Sequence, residues 1–496
     1  MSAYETNVTI PSFAGINQAG DGYNQSMRYA REMENVRVTG GIFTPMRQGI
    51  EHWATVSEPI LTLAYLPRRW NYGGPGDLPQ TGTLLVAFTA TGIYLKTIDN
   101  LVSTITGLWH NAYTVPDEPE EDDFLGGAVS WLTYEVNTDS QGEPTTTPVD
   151  VLLFSNQESG MFVLRADELT ITKVETPKNF GIIARYNERI WGTAIQHDPD
   201  MLMYSAPYDF TDWEQNTQIP EDGAGDIQVP TWDGDSFISL EQVGSDLVAF
   251  KKNSIWRIYG TNPGEFTIQQ QYGAGTIEAN TVAVANQMVY MLGHDGLMRY
   301  DGTTTVPYHQ DALKDIMGRM TKTATPFGAM RGTTYCLAIP IDGSEVCNAI
   351  IEYDTLEYTF ALRTGLFVSS FLPYDGALYY TSAYAPGRVF EMRDDKGLPL
   401  PTVWKSGYQD LGLKNSTKSA FLLYMTVDAE TPFELQLGLR TEKKLKQKTV
   451  TVKPGKPLRV HLNNQGRYFR LEIQCYSAVP FSIMGGARID LELDPD

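Results

Sequence analysis

Six histidines (His52, His110, His197, His294, His309, His461) and three cysteines (Cys336, Cys347, Cys475) are the side chains best suited to bind a metal. Side-chain metal sites need such donors at short spacings, as in His-x-x-His, His-Glu-x-x-His or Cys-x-x-Cys. None of these spacings occurs. His197-Asp198-Pro199-Asp200 comes nearest, and its composition is that of a turn. Asp233 and Asp235, in Thr231-Trp232-Asp233-Gly234-Asp235, are expected as turn residues too. Glycoside hydrolysis needs two placed carboxylates, and among 60 acidic residues no pair stands apart. No Gly-x-Ser-x-Gly elbow, phosphate loop or dinucleotide fingerprint is present. The glycine clusters at 73–76 and 273–276 lack the strand–helix setting of such loops and are expected as turns. The sequence predicts no enzyme, no cofactor and no metal.

Charge offers two candidate surfaces. Asp117, Glu118, Glu120, Glu121, Asp122 and Asp123 crowd around two prolines. Such a run cannot bury apolar area and is expected as a solvated loop. Lys443, Lys444, Lys446, Lys448, Lys453 and Lys456 form the one concentrated basic run. It is either an edge strand protected by lysine or a contact with an acidic neighbour, such as another copy of the chain. Of the net −22, residues 1–400 hold −26 (24 Lys and Arg against 50 Asp and Glu) and residues 401–496 hold +4. An acidic body binds DNA poorly, since affinity rests on cations that neutralise phosphates. Acidity keeps a large protein soluble, and it also lets DNA slide past without sticking.

The elements that must position these residues are strands. With 44 Gly, 28 Pro and 11% aromatics, the composition is that of an all-β protein. Helical periodicity is confined to 23–33 and 310–320. Elsewhere a hairpin recurs roughly every 40–60 residues: 83–97, 150–174, 245–260, 286–302 and 376–395. That period predicts a β-propeller of six or seven blades over 51–400, ahead of stacked sandwiches. Beyond Pro399 and Pro401 the texture becomes six or seven regular strands, predicting a C-terminal β-sandwich over 401–496. Residues 1–50 form an N-terminal arm whose hairpin at 35–45 is expected to complete a blade built from about 370–395, closing the ring. No apolar run is long enough for a membrane-spanning helix. No secretory signal pattern opens the sequence, and the three scattered cysteines suit a reducing cytoplasm.

Several stretches carry a resemblance to one known family. In 13–49 the matching elements are Phe13, Gly15, Asn17, Asn35-Val36, Gly40-Gly41 and Arg47-Gln48-Gly49, where the family more often has Arg-Pro-Gly. Arg189-Ile190-Trp191-Gly192 before Tyr204-Ser205 and Trp213 is similar to a strand pair of that family. So is the hairpin holding Phe250, Ser254-Ile255 and Gly260, and so are 466–473 and 481–493 near the end. Together these stretches resemble the packaged-DNA stabilisation or tail-nozzle (tail-hub) proteins of short-tailed bacteriophages, and the resemblance implies a structural virion protein, assembled in the host cytoplasm into a homo-oligomeric ring, usually a hexamer. In the tail, such a ring would continue the DNA channel below the portal and adaptor, beside needle or fibre proteins. It would retain packaged DNA and let duplex pass on ejection. A glycan-binding propeller of a phage tail is the alternative, and a propeller glycosidase a more distant one.

Overall fold

In a computed structural model of the chain, residues 4–23, 25–52, 56, 58–70, 72, 78, 81–99, 104–412 and 416–493 are described. The glycine cluster at 73–76 lies outside them.

Apolar residues alternate along short segments bounded by Gly, Asn and Asp, and the segments pair into antiparallel four-stranded sheets. Five stand alone: blade 1 over 62–114, blade 2 over 130–174, blade 3 over 182–228, blade 4 over 237–271 and blade 5 over 283–307. The sixth and seventh share the long strand Thr359–Tyr374. Up to Thr364 it pairs with Cys347–Asp354 as the outer strand of blade 6. From Val368 it pairs with Ala377–Ser382 as the inner strand of blade 7. Gly365, at φ +87°, sits between the two parts. The hairpins seen in the sequence are central pairs of blades, for example Gly82–Phe88 with Gly92–Asp99 and Met288–Gly293 with Gly296–Tyr300.

Apolar cores lie between successive blades. Leu63, Leu85 and Ala87 of blade 1 meet Leu372, Tyr379 and Val389 of blade 7, which closes the circle. The described residues therefore form a seven-bladed β-propeller. Its last blade is completed by Ile50–His52, paired with Ala385–Glu391. The closing strand is thus five residues beyond the hairpin expected to play that part.

The hairpin itself, Val36–Thr39 with Ile42–Pro45, joins the C-terminal unit through the pairing of Phe43 with Ile483. That unit has seven strands from residues 402–493 and four from the N-terminus. Tyr4–Ile10, Val36–Thr39 and Ile42–Pro45 belong to a six-stranded sheet, and Ala30–Glu34 is the edge of a five-stranded one. The two sheets share a core that includes Phe13, Phe43, Trp404, Leu435 and Ile483. The same core continues into Tyr290, Tyr335 and Phe360 of blades 5 and 6. The expected division into arm, propeller and self-contained C-terminal domain is replaced by two units that both use the N-terminus.

Of the two expected helices, 310–320 forms as a 3-10 turn, Gln310–Leu313, leading into the α-helix Lys314–Arg319. The 23–33 segment does not. Its last residues form the strand Ala30–Glu34, paired with Thr402–Ser406, because a sheet edge 370 residues away outcompetes a weak local helical period.

Candidate functional site: a buried charge junction and two charged surfaces

Where the N-terminal strands meet blade 6, five charged side chains converge. Glu352, on the third strand of blade 6, is 2% exposed. It accepts from Arg363 Nε at 2.6 Å, from Arg331 Nη2 at 3.0 Å and from Arg37 of the N-terminal hairpin. Asp394, just past blade 7, accepts from Arg363 Nη2 at 2.5 Å and forms an ion pair with Arg37, whose Nε lies 3.2 Å away. Arg363 is wholly buried, and its remaining amino group donates to the Arg47 carbonyl at 2.5 Å. Burial alone would raise the Glu352 pKa, but the Arg363 and Arg37 guanidiniums outweigh it and hold the carboxyl below its usual range. Burial likewise disfavours the charge on Arg363, and Glu352 and Asp394 reverse that, raising its pKa. A buried network so fully paired is costly to break from one side.

Asn35 sits beside this network with no exposed surface, at φ +57°. Asparagine tolerates that left-handed conformation better than most residues. The kink sends Ala30–Glu34 into one sheet and Val36–Thr39 into the other. Arg47 continues the seam, donating to the carbonyls of Gly397 at 3.2 Å and Ala478 at 2.5 Å. Gly49, at φ +100°, packs so close that a Cβ would lie 2.1 Å from the Glu391 carbonyl. Gly15 is as tightly held, with a Cβ position 2.6 Å from the Phe360 carbonyl. The residues that carried the family resemblance in 13–49 therefore include several that weld propeller to C-terminal unit. Sequence inspection missed the junction because Arg37 lies 315 residues from Glu352, and nothing local marks Arg331, Glu352 and Arg363 as one cluster.

The acidic run lies on the connection from the outer strand of blade 1 to the inner strand of blade 2. Asp117, Glu118, Glu120, Glu121 and Asp122 are exposed, as the loop reading requires. Asp123 differs: it accepts from the Tyr113 hydroxyl at 3.0 Å and from the Glu120 amide at 2.9 Å. Phe124, fully buried against Phe88, Phe154 and Phe162, anchors the loop from below. Lys173 ties it to blade 2 through Asp122.

The lysines occupy Leu445–Val452, the open edge of the five-stranded sheet, and its flanking turns. Lys443, Lys444, Lys446, Lys448, Lys453 and Lys456 are all exposed, and none enters an ion pair among the described residues. The acidic and basic runs belong to different units and are not brought together within one chain.

The propeller's axis holds a cavity of about 730 Å³ lined by the inner strands of six blades and by Ala279 and Asn280 of the turn that precedes blade 5. Glu241 faces it, half-buried, and burial pushes its pKa up to about 7. No group of three or more His, Cys, Asp or Glu side chains among the described residues could hold a metal. Asp198 and Asp200 are instead spent on Lys178 at 3.1 Å and Lys251 at 2.6 Å. The three cysteines are buried and unpaired, and burial raises the Cys475 thiol to about 11, so it is no ready nucleophile at neutral pH.

No protein-family profile and no curated protein matches the chain. Among solved structures it is similar to the Pan2 WD40 domain of Neurospora crassa, at 11% identity and TM-score 0.38, over 69% of this chain and 91% of that one. It is similar also to BamB from Moraxella catarrhalis, at 10% identity and TM-score 0.38, over 79% and 98%. The computationally designed Ika8 protein gives 11% identity and TM-score 0.35, over 70% and 98%. Likenesses of that size carry no argument, and the β-propeller assignment rests on the strand pairing and the closed circle of inter-blade cores.

Proposed function

We propose that the chain is a structural subunit of a phage tail, a ring-forming nozzle or hub that retains packaged DNA and lets it pass on ejection. The observation that carries this reading is the welded seam. The stretch that resembles the nozzle family, 13–49, contributes Phe13 to the core of the C-terminal unit, and Asn35, Arg37 and Arg47 to the junction with the propeller. A subunit loaded by pressurised DNA needs its two units to move as one, and a five-charge network built on the buried Glu352 and Arg363, with a shared core, supplies that. The acidic body supports the same reading, because a lumen of like charge gives phosphates no place to stall.

The five exposed acids of the 117–122 run are the proposed lumen surface. Replacing Asp117, Glu118, Glu120, Glu121 and Asp122 with Ser or Asn, while keeping Asp123 for the loop's own fold, tests this in assembled particles. Slower DNA release is expected, and unchanged release kinetics would remove the loop from the channel.

A further inference from the structure

We propose that Trp232 and the cleft that opens at Lys252, on the blade 4 turn to which Trp232's own turn is bonded, form an oligosaccharide-binding site on one face of the propeller. Trp232 is fully exposed, with nothing of its indole covered. It stands at the tip of a turn closed by Gly234 N–H to Thr231 O at 3.3 Å, on the crossover from blade 3 to blade 4. A large ring left wholly in water contributes nothing to the fold, and its apolar face is open to stack on a ligand.

The turn is not free to fold the ring away. Asp235 accepts from the backbone N–H groups of Lys252 at 3.0 Å and Asn253 at 2.7 Å, in the hairpin turn of blade 4. Asp233 accepts from Asn253 Nδ2 at 3.0 Å, and Thr231 Oγ1 receives the Asp235 amide at 2.9 Å. A turn held this way keeps the ring presented to solvent, so the backbone loses little freedom on binding.

The same blade 4 turn leads into a cavity. Lys252 lines a cleft of about 760 Å³ between blade 5 and the excursion that carries Lys314–Arg319. Glu278, His294, Thr321 and Lys322 offer donors and acceptors there, beside the apolar flank of Met320. Its volume is within the range that holds small ligands. The pairing of chemistries selects the class: a flat aromatic face suits the C–H face of a pyranose, and a cleft with donors and acceptors of both signs suits its hydroxyls. A nucleic acid would call for a basic surface, which residues 1–400, at −26, do not provide.

The test is a glycan array probed with the full chain and with Trp232→Ala and Lys252→Ala, each checked for an unchanged melting temperature. Wild type should retain one class of oligosaccharide, and Trp232→Ala should weaken that binding at least tenfold. Because Trp232 supports no packing, the variant should melt as wild type does. Failure of wild type to retain any glycan would overturn the proposal, as would binding that Trp232→Ala leaves intact. A change of oligomeric mass in Trp232→Ala without glycan binding would also overturn it, by making the ring a contact between copies.

Discussion

Asn35 and Thr364, 329 residues apart in the chain, hold each other by two hydrogen bonds: Asn35 Nδ2 donates to Thr364 Oγ1 at 3.1 Å, and the Thr364 amide donates to Asn35 Oδ1 at 2.8 Å. Asn35 Nδ2 also reaches the Pro401 carbonyl at 2.8 Å, and its amide donates to the Leu362 carbonyl at 2.7 Å. One buried amide side chain therefore pins the N-terminal kink, the outer strand of blade 6 and the start of the C-terminal unit. Asn35→Ala should cost about 3 kcal/mol, since it strands buried polar groups and gives up asparagine's tolerance of the left-handed backbone at φ +57°. Asn35→Gly, which keeps the backbone but loses the side-chain bonds, should cost less, about 2 kcal/mol. Denaturant unfolding checks both, and equal costs would remove the backbone from the explanation.

Glu352→Gln should destabilise by about 3–5 kcal/mol, because it leaves the buried Arg363 and the half-buried Arg37 and Arg331 with only Asp394 to answer them. The sign with pH follows from the lowered pKa of Glu352. Its stabilisation is fully present above the unfolded value, about 4.3, and is lost as pH falls through the lower folded value. Melting temperature recorded from pH 7 to pH 3 should fall more steeply below about pH 4 in wild type than in the variant.

Glu241 has the opposite sign. Its folded pKa of about 7 lies above the unfolded one, so the folded state prefers the neutral acid and becomes less stable as pH rises from about 4.3 to 7. Glu241→Gln should raise stability at pH 8, by on the order of 1–3 kcal/mol, and leave it nearly unchanged near pH 4. Melting curves at the two pH values check this, and a gain of equal size at both would argue against a titrating carboxyl.

Deleting residues 1–45 keeps the ring-closing strand Ile50–His52 but removes four strands from the C-terminal unit. Loss of Phe13 and Phe43 uncovers Trp404 and Phe481. Limited trypsin digestion should then cut 402–493 before the blades. Digestion in the same order and at the same rate as full-length chain would mean that the N-terminal strands are dispensable.

How far the sequence discloses all this depends on the range of the interactions. The blade hairpins were legible, as at 83–97 and 286–302, because period-two alternation and a Gly turn are local signals that the sheet obeys. The helical turn at 310–320 was legible for the same reason. The destination of the 35–45 hairpin was not, since a β-hairpin carries no local mark of which sheet it will join. Phe43 meets Ile483 rather than a strand of blade 7, and the clasp falls to the three residues Ile50, Glu51 and His52. The charged runs were visible as runs, yet Asp123 could not be told from Asp122. What separates them is the Tyr113 hydroxyl, ten residues back across a strand end. Glu352 and Trp232 look ordinary in sequence, and only packing makes one a buried hub and the other a bare ring.

The central claim is that copies of this chain close into a ring. Native mass spectrometry of the purified full chain, at micromolar concentration and near-physiological salt, measures it directly. A single closed oligomer whose mass is a whole multiple of 55.3 kDa, expected at six copies, is the predicted result. A 55.3 kDa monomer that persists across the concentration range would contradict it.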